Sequence, residues 1–143
     1  MPMIISTRGR YALHVMLDLA THQSDGYLPL KEIALRQNIS EKYLESILKP
    51  FVHSHYIIGV RGKGGGYRLT KDPSEYIVGD LLRLAEGTLS PVSCVSENGG
   101  NCPNSGSCRT LPVWIHLDKL INDYLDSLTL EDLLRDESAK REC

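Results

Sequence analysis

The sequence predicts a mainly α-helical fold with one small β-hairpin and a long helix near the C-terminus. Three observations predict it. Apolar residues recur at helical spacing through the first third of the 143 residues and again beyond Pro112. Two short apolar segments enclose a glycine-packed tip near the middle of the chain. Residues 88–112 have no periodicity and are rich in Ser, Gly, Asn, Pro and Cys, which is typical of a functional or disordered loop.

The first two helices follow from apolar spacing and from turn residues. A first amphipathic helix is predicted over about residues 7–22, from Tyr11, Ala12, Val15, Leu19 and Ala20. The turn residues Gln23–Gly26 end it. A short second helix is predicted over Leu30–Gln37, with Ile33 and Ala34 facing inward.

The third helix is predicted to begin after a tight turn, Asn38–Ser40, in which Ser40 is a suitable N-cap. Its apolar stripe consists of Leu44, Ile47, Leu48 and Phe51. Pro50 should redirect the helix, because a proline inside a helix breaks or kinks it. A short helix, a three-residue turn and a capped second helix match helix-turn-helix geometry.

The β-hairpin is predicted to join strands Tyr56–Val60 and Tyr67–Thr70, and with the preceding helices it forms a winged helix-turn-helix over residues 1–75. We call this hairpin the wing. Its tip lacks the Lys-Ser/Thr ending of a phosphate-binding loop. A further helix, Val78–Glu86, is predicted to end at Gly87.

Residues 76–143 are predicted to hold the 88–112 loop followed by dimerisation helices. Five residues after Pro112 step by 3, 4, 3 and 4, which is coiled-coil spacing: Trp114, Leu117, Ile121, Tyr124 and Leu128. A core helix is the simpler explanation for two such turns, and five consecutive matches favour a long C-terminal dimerisation helix. Thr129 is predicted to cap a short last helix.

The charge distribution favours a nucleic-acid partner for the first half of the chain. Residues 1–75 carry ten Lys/Arg against seven Asp/Glu, whereas residues 76–143 carry six against eleven. An acidic second half would repel DNA and favour one docking orientation. No apolar run approaches the ~18 residues of a membrane span. Since a signal-peptide core is absent from the N-terminus, we expect a cytoplasmic protein with no membrane partner.

Candidate DNA contacts lie on the third helix and the wing. A recognition helix contacts base edges with polar residues near its N-terminus, here Ser40, Lys42, Glu45 and Ser46. Arg61 is the candidate for a narrow minor groove, beside Lys63 at the same glycine-rich tip. Arg8, Arg10 and Arg68 are candidate phosphate contacts. Each of these residues alone would be an ordinary surface charge, and the set favours DNA.

Three cysteines of the 88–112 loop are candidate metal ligands. Cys94, Cys102 and Cys108 are separated by seven and five residues, without the closely paired cysteines of structural zinc sites. Thiolates bind zinc, copper(I) or iron–sulphur clusters, and the wide spacing favours a cluster. A disulfide with one spare thiol is the alternative, which a reducing compartment disfavours. Cys143 has no predicted role.

Three segments carry a resemblance to the superfamily of bacterial winged-helix regulators that contains IscR, NsrR and CymR. They are residues 7–13 (TRGRYAL), 39–45 (ISEKYLE) and 61–67 (RGKGGGY), and Trp114 and residues 128–134 (LTLEDLL) extend the similarity over nearly the whole chain. The cysteine-bearing loop resembles the cluster-binding IscR and NsrR branches rather than CymR.

The resemblance implies a homodimeric repressor in which a 2Fe–2S or 4Fe–4S cluster controls binding to a pseudo-palindromic operator. It implies DNA-reading roles for Ser40, Lys42, Glu45 and Arg61, and cluster ligation by the three loop cysteines. Two departures leave the fourth ligand open. The first cysteine gap is longer than in the family's pattern, and Leu111 replaces the histidine of IscR. Arg10 stands where NsrR has an aspartate.

Two histidines are candidates for that fourth ligand: His116 and, from a partner's first helix, His14. An external molecule is a further alternative. The alternative function within the class is a cluster-free thiol sensor or an enzyme-partnered repressor resembling CymR. An enzyme is disfavoured, because the sequence shows no acid/base cluster and no paired nucleophile.

Overall fold

A computed structural model describes residues 5–95 and 106–135 of the chain. The described residues form six α-helices and one antiparallel hairpin. The helices are α1 (Thr7–Thr21), α2 (Leu30–Gln37), α3 (Glu41–His53), α4 (Val78–Glu86), α5 (Leu111–Asp126) and α6 (Leu130–Arg135), and the strands are β1 (Ile57–Val60) and β2 (Gly66–Leu69). The mainly α class with a two-stranded wing is therefore confirmed.

The local sequence signals for the helix-turn-helix are confirmed in the structure. Asn38 adopts the left-handed conformation (φ 55°) that ends α2, and the Ser40 hydroxyl accepts a hydrogen bond from the Tyr43 N–H at 3.0 Å. The predicted apolar stripe of α3 is fully buried. The helix continues past Pro50 to His53, and the change of direction at Pro50 stays a prediction.

A buried carboxylate, Asp18, fixes α2 against α1. Its side chain is only 3% exposed and accepts hydrogen bonds from Arg36 Nε at 3.0 and 3.1 Å and from Gln37 Nε2 at 3.0 Å. The same carboxylate raises the pKa of Arg36. Because breaking a buried ion pair leaves an uncompensated charge, this contact holds the first helix of the helix-turn-helix in place.

The base of the wing is held by Tyr76, which is 1% exposed. Its hydroxyl donates to the backbone oxygen of Tyr56 and accepts the N–H groups of Thr70 and Lys71 at 3.0 and 3.2 Å. The opposite edge of β2 pairs with Leu28, whose N–H donates to the Tyr67 oxygen at 2.9 Å. The hairpin is thus anchored on both sides.

Elements from the second half of the chain share the core of the first half. Leu130 of α6 is fully buried in the same cluster as α1 and α3, and its N–H donates to the Tyr76 oxygen at 2.9 Å. Arg83 of α4 donates to Asn122 at 2.6 Å and to Asp126 at 3.0 Å. These contacts attach α5 to the core through α4. Thr129 and Asp132 exchange hydrogen bonds at the start of α6, as its sequence predicts.

The predicted coiled-coil stripe of α5 is corrected by the structure. The helix ends at Asp126, so Leu128 lies beyond it. Ile121 and Leu128 pack against a cluster formed by α4 and Leu89 within the same chain. A different row is exposed, stepping by 4, 3 and 4: Val113 (56%), Leu117 (36%), Leu120 (54%) and Tyr124 (64%).

No helix among the described residues is long and apolar enough to cross a membrane.

Candidate nucleic-acid interface and cysteine segment

A groove of about 640 Å³ lies between α3 and the wing. It contains four of the residues that the sequence nominates for DNA contact: Lys42, Glu45, Ser46 and Arg61. It also contains residues that sequence reasoning missed, namely Leu48, Lys49, Val52, His53, Gly59, Val60 and Tyr67. Of the extra α3 residues, Lys49 and His53 continue the polar face at helical spacing from Lys42 and Ser46, a periodicity that could have identified them.

Tyr67 forms part of the groove and lies against the opposite strand. It is paired with Gly59, where a Cβ would approach the ring Cε1 to 2.9 Å, so only glycine leaves room for the ring. Burial raises the pKa of Tyr67, the Glu45 carboxylate raises it further, and Arg61 acts in the opposite direction. The phenol is therefore protonated at neutral pH, in the electrostatic field of both charged groups.

Glycine is required at the positions of the wing tip for two different structural reasons. Gly62 and Gly64 have φ values of 95° and 79°, which side chains rarely adopt. A Cβ at Gly65 would overlap the Val60 backbone oxygen, and one at Gly66 would overlap that of Leu28. The turn itself thus requires these glycines.

The basic residues of the wing differ in their surroundings. Arg61 and Lys63 are both exposed at the tip, and Arg61 also lines the groove. Arg68 lies on β2, opposite Ile58, with its guanidinium 4.9 Å from the centre of the Tyr27 ring. Neighbouring strand residues point to opposite faces, so Arg68 lies on the far side of the hairpin from Gly59 and the groove-facing Tyr67. The cation–π contact with Tyr27 holds it there.

Arg8 contacts the recognition helix directly. Its Nη1 lies 3.3 Å from the Ser46 Oγ, and its Nη2 donates to the Ser46 backbone oxygen. The Ser46 hydroxyl donates in turn to the Tyr43 oxygen at 2.7 Å. Since a hydroxyl has one proton, the Ser46 side chain can meet a DNA base only as an acceptor while this bond is kept.

The structure describes the two ends of the cysteine-bearing 88–112 loop. Cys94 lies in a short 3-10 helix, Ser93–Val95, that packs against α5, and Cys108 lies just before α5 begins. Both are half-buried free thiols. Cys102 and Cys143 lie outside the described residues. Within residues 5–95 and 106–135, no three His, Cys, Asp or Glu side chains are grouped to hold a metal ion.

Cys108 has an environment that favours the thiolate. Its Sγ lies 3.3 Å from the Thr110 Oγ1, and the backbone N–H groups of Thr110 and Leu111 also point to it. Hydrogen bonds from Thr110 are the main cause that lowers the pKa of Cys108. Leu111 is the first residue of α5.

Comparison with known proteins identifies the family. The Rrf2 family model, described as an iron-dependent transcriptional regulator, matches residues 5–136. The chain belongs to the Rrf2 family. It is a transcriptional regulator with IscR-like relatives, and these relatives are not enzymes.

Two relatives show how far the similarity extends. The transcriptional regulator IscR of Photobacterium profundum is 34% identical over 138 residues, covering 96% of this chain and 79% of the relative. The IscR of Yersinia pestis is 35% identical over 135 residues, covering 94% of this chain and 81% of the relative. Both agree with the resemblance that the sequence motifs carry.

Solved structures of the Rrf2 family have the same fold. T. potens IscR superposes with a TM-score of 0.75 at 36% identity, over 97% of this chain and 92% of that one. CymR of B. subtilis, the global cysteine regulator, superposes with a TM-score of 0.71 at 39% identity, over 90% of this chain and 94% of that one. The fold alone therefore does not separate IscR-like from CymR-like members of the Rrf2 family.

The candidate histidines lie on exposed faces of this Rrf2 chain. His116 is exposed on α5. His14 is exposed on α1, where it lines a second groove of about 410 Å³ with Arg10, Tyr11 and Leu133. Neither histidine belongs to a three-ligand group within the described residues.

Proposed function

We propose that this chain is a cytoplasmic DNA-binding repressor whose affinity for its operator depends on an iron–sulphur cluster. The observation that supports DNA binding most strongly is the groove between α3 and the wing. Lys42, Glu45, Ser46 and Arg61 line it together, although Arg61 is distant in sequence from the other three. A signal of iron–sulphur supply, redox stress or nitric oxide would act on the cluster.

The α3 residues would enter the major groove with their polar face. Ser40 and Lys42 lie at the start of α3, and Glu45 and Ser46 follow one turn later. The Glu45 carboxylate can accept from a cytosine amino group but is repelled by phosphate, so it would reject wrong sequences more than it adds affinity. Arg61 would enter the minor groove, while Lys63 and Arg68 would contact phosphates.

We propose a two-fold homodimer formed through the exposed row of α5. Val113, Leu117, Leu120 and Tyr124 place four large apolar side chains in heptad spacing on one exposed face. A contiguous apolar face of this kind is costly in water and is typical of an interface. A two-fold dimer would bind a pseudo-palindromic operator with half-sites one or more helical turns apart.

The thiols fit the proposed cluster by their chemistry. Cys94, Cys102 and Cys108 would hold it, since two of them are free thiols in the described residues and Cys108 is biased toward the thiolate. The bound cluster would supply a metal centre that reacts with oxidants. Thr110 would orient the Cys108 sulphur by its hydrogen bond. His116, His14 of a partner or an external molecule would complete the ligand set.

A second candidate is a cluster-free thiol sensor, perceiving the same stress through cysteine oxidation. The lowered pKa of Cys108 favours it, because the thiolate is the form that oxidants attack. The similarity to CymR adds support.

Protein purified without oxygen separates the two candidates. Absorbance in the iron–sulphur charge-transfer region, with iron and sulphide analysis, measures the cluster. Affinity for duplexes selected from a random library, before and after removal of iron by a chelator, measures its effect. A repressor of the proposed kind loses at least part of its sequence preference on iron removal. Colourless, iron-free protein that binds selectively and loses affinity on oxidation favours the thiol sensor.

A further inference from the structure

Pro50 lies inside the recognition helix and changes its hydrogen bonding at one residue. It is the tenth residue of α3, and the helix continues to His53. A helical N–H ordinarily donates to the carbonyl four residues earlier, and proline has no N–H. The carbonyl left without its helical donor is that of Ser46.

Arg8 supplies the missing donor. Its Nη2 donates to the Ser46 backbone oxygen, and its Nη1 lies 3.3 Å from the Ser46 Oγ. Two nitrogens of one rigid guanidinium therefore hold a single residue of α3, a geometry that lysine cannot reproduce. Arg8 is in the first turn of α1, separated from Ser46 by 38 positions in the chain.

The contact acts at the part of α3 that faces the groove. Ser46 lines the groove, with Lys42 one turn before it and Lys49 one turn after it. A rotation of α3 about its axis would move these side chains together relative to Arg61 on the wing. The inner face of α3 is fixed by its buried apolar stripe. Arg8 is an additional contact to the outer, polar face.

We propose that Arg8 is a positioning residue for DNA recognition, acting through the Ser46 carbonyl that Pro50 leaves free, rather than a phosphate contact. The inference rests on the proposed DNA-binding function. Arg8 orients the recognition helix, and the residues of the groove read the DNA. Pro50 is part of the same device, because an N–H at position 50 would compete with Arg8 for the carbonyl.

The test uses the full-length protein and four variants: Arg8→Ala, Arg8→Lys, Pro50→Ala and the double variant Arg8→Ala/Pro50→Ala. Affinities for a selected duplex and for a random duplex are measured at several salt concentrations. Arg135→Ala, which removes a charge from an exposed side chain of α6 that does not line the groove between α3 and the wing, is the control for net charge. Circular dichroism and thermal unfolding establish that each variant is folded.

Arg8→Ala and Arg8→Lys are both expected to lower the selected-to-random affinity ratio by about tenfold, the effect of losing a hydrogen bond to a charged donor. The slope of log affinity against log salt stays at the wild-type value. Pro50→Ala restores most of the ratio in the Arg8→Ala background, because its N–H satisfies the Ser46 carbonyl.

A phosphate contact gives the opposite pattern. Arg8→Ala would then reduce the salt slope by about one unit and weaken both duplexes alike, and Arg8→Lys would retain binding. That pattern, or the absence of rescue by Pro50→Ala, overturns the inference while leaving DNA binding intact. Wild-type protein without any preference for the selected duplex overturns the proposed function itself.

Discussion

The carboxylate of Glu86, the last residue of α4, accepts two hydrogen bonds from Ser6, one from the backbone N–H at 3.0 Å and one from the hydroxyl at 2.6 Å. Ser6 is the N-cap of α1 and makes no capping bond of its own. Glu86 therefore places its negative charge at the positive end of the α1 dipole. The contact joins the end of α4, just before the cysteine-bearing 88–112 loop, to the helix that carries Arg8.

Gly9 leaves room for the Glu86 carboxylate, since a Cβ there would overlap Oε1. Gly9→Ala should therefore displace Glu86 from Ser6 and destabilise the protein, although alanine is the better helix former by about 1 kcal/mol. In a Glu86→Ala background the same change should stabilise it by up to about 1 kcal/mol. Urea unfolding of the four proteins measures both effects. Equal signs in the two backgrounds would show that Gly9 is needed for another reason.

Arg61→Ala should nearly abolish preference for the selected operator and leave the fold and the dimer intact. Arg61 is an exposed cation of the wing tip that also lines the groove, and a guanidinium is suited to a narrow minor groove. Arg68, stacked on Tyr27 away from the groove, is the matched control, and its alanine variant should weaken operator and random DNA alike. Gel shifts at fixed salt measure the affinity of each variant for operator and for random DNA. An unchanged affinity ratio for Arg61→Ala excludes the contact.

Glu45→Ala should relax sequence preference more than it lowers affinity, because the carboxylate rejects wrong base edges and repels phosphate. Tyr67→Phe should relax preference at the same base pair. The Tyr67 phenol, whose pKa is raised, is a hydrogen-bond donor near Glu45. Phenylalanine removes this donor while it keeps the ring packed on Gly59. Binding to operators with single-base changes measures both. Uniform weakening of every site would mean that these residues do not discriminate between bases.

The sequence predicts the fold well where its signals are local. The bounds of α2 and α4 match the prediction, since the signals that end them, Asn38 and Gly87, are single residues at the helix ends. The contact between Arg8 and Ser46 could not be predicted, because it joins residues 38 positions apart and depends on how α1 crosses α3.

The apolar pattern of α5 is ambiguous for a different physical reason. Two apolar rows run side by side on this helix. One row contains Ile121 and Leu125, which pack against α4, and the other contains Leu117 and Leu120, which are exposed. Both rows have heptad spacing, so periodicity alone does not tell which one faces the chain's own core. In the structure, the ion pair of Arg83 with Asp126 lies on the side of α5 that packs against α4.

The exposed row gives a sharper test of the dimer than the spacing alone. Leu120→Glu together with Tyr124→Glu should produce a monomer, because the two charges would be buried in the interface. Both side chains are more than half exposed, so little intramolecular packing is lost. Lys119→Ala with Asp123→Ala, an exposed ion pair on a neighbouring face of α5, is the matched control and should remain dimeric. Sedimentation velocity measures the difference. A dimer that survives both glutamates has its interface elsewhere.

The proposed cluster ligands can be separated by iron content. Cys102→Ala should remove the cluster, because it leaves two thiolates, whereas Leu111→Ala changes a residue that cannot coordinate iron and should retain it. His116→Ala and His14→Ala each test the fourth position. The measurements are anaerobic absorbance and the iron and sulphide bound per chain.

The outcomes distinguish a complete ligand set from an incomplete one. Iron that is retained in Cys102→Ala contradicts the assignment of all three cysteines. Iron that is lost in one histidine variant identifies the fourth ligand and, for His14, places the site between protomers. A cluster that survives both histidine changes has an external fourth ligand. Three thiolates with one exchangeable ligand leave an iron open to oxygen or nitric oxide, so this last result also predicts the fastest loss of colour on exposure to either gas.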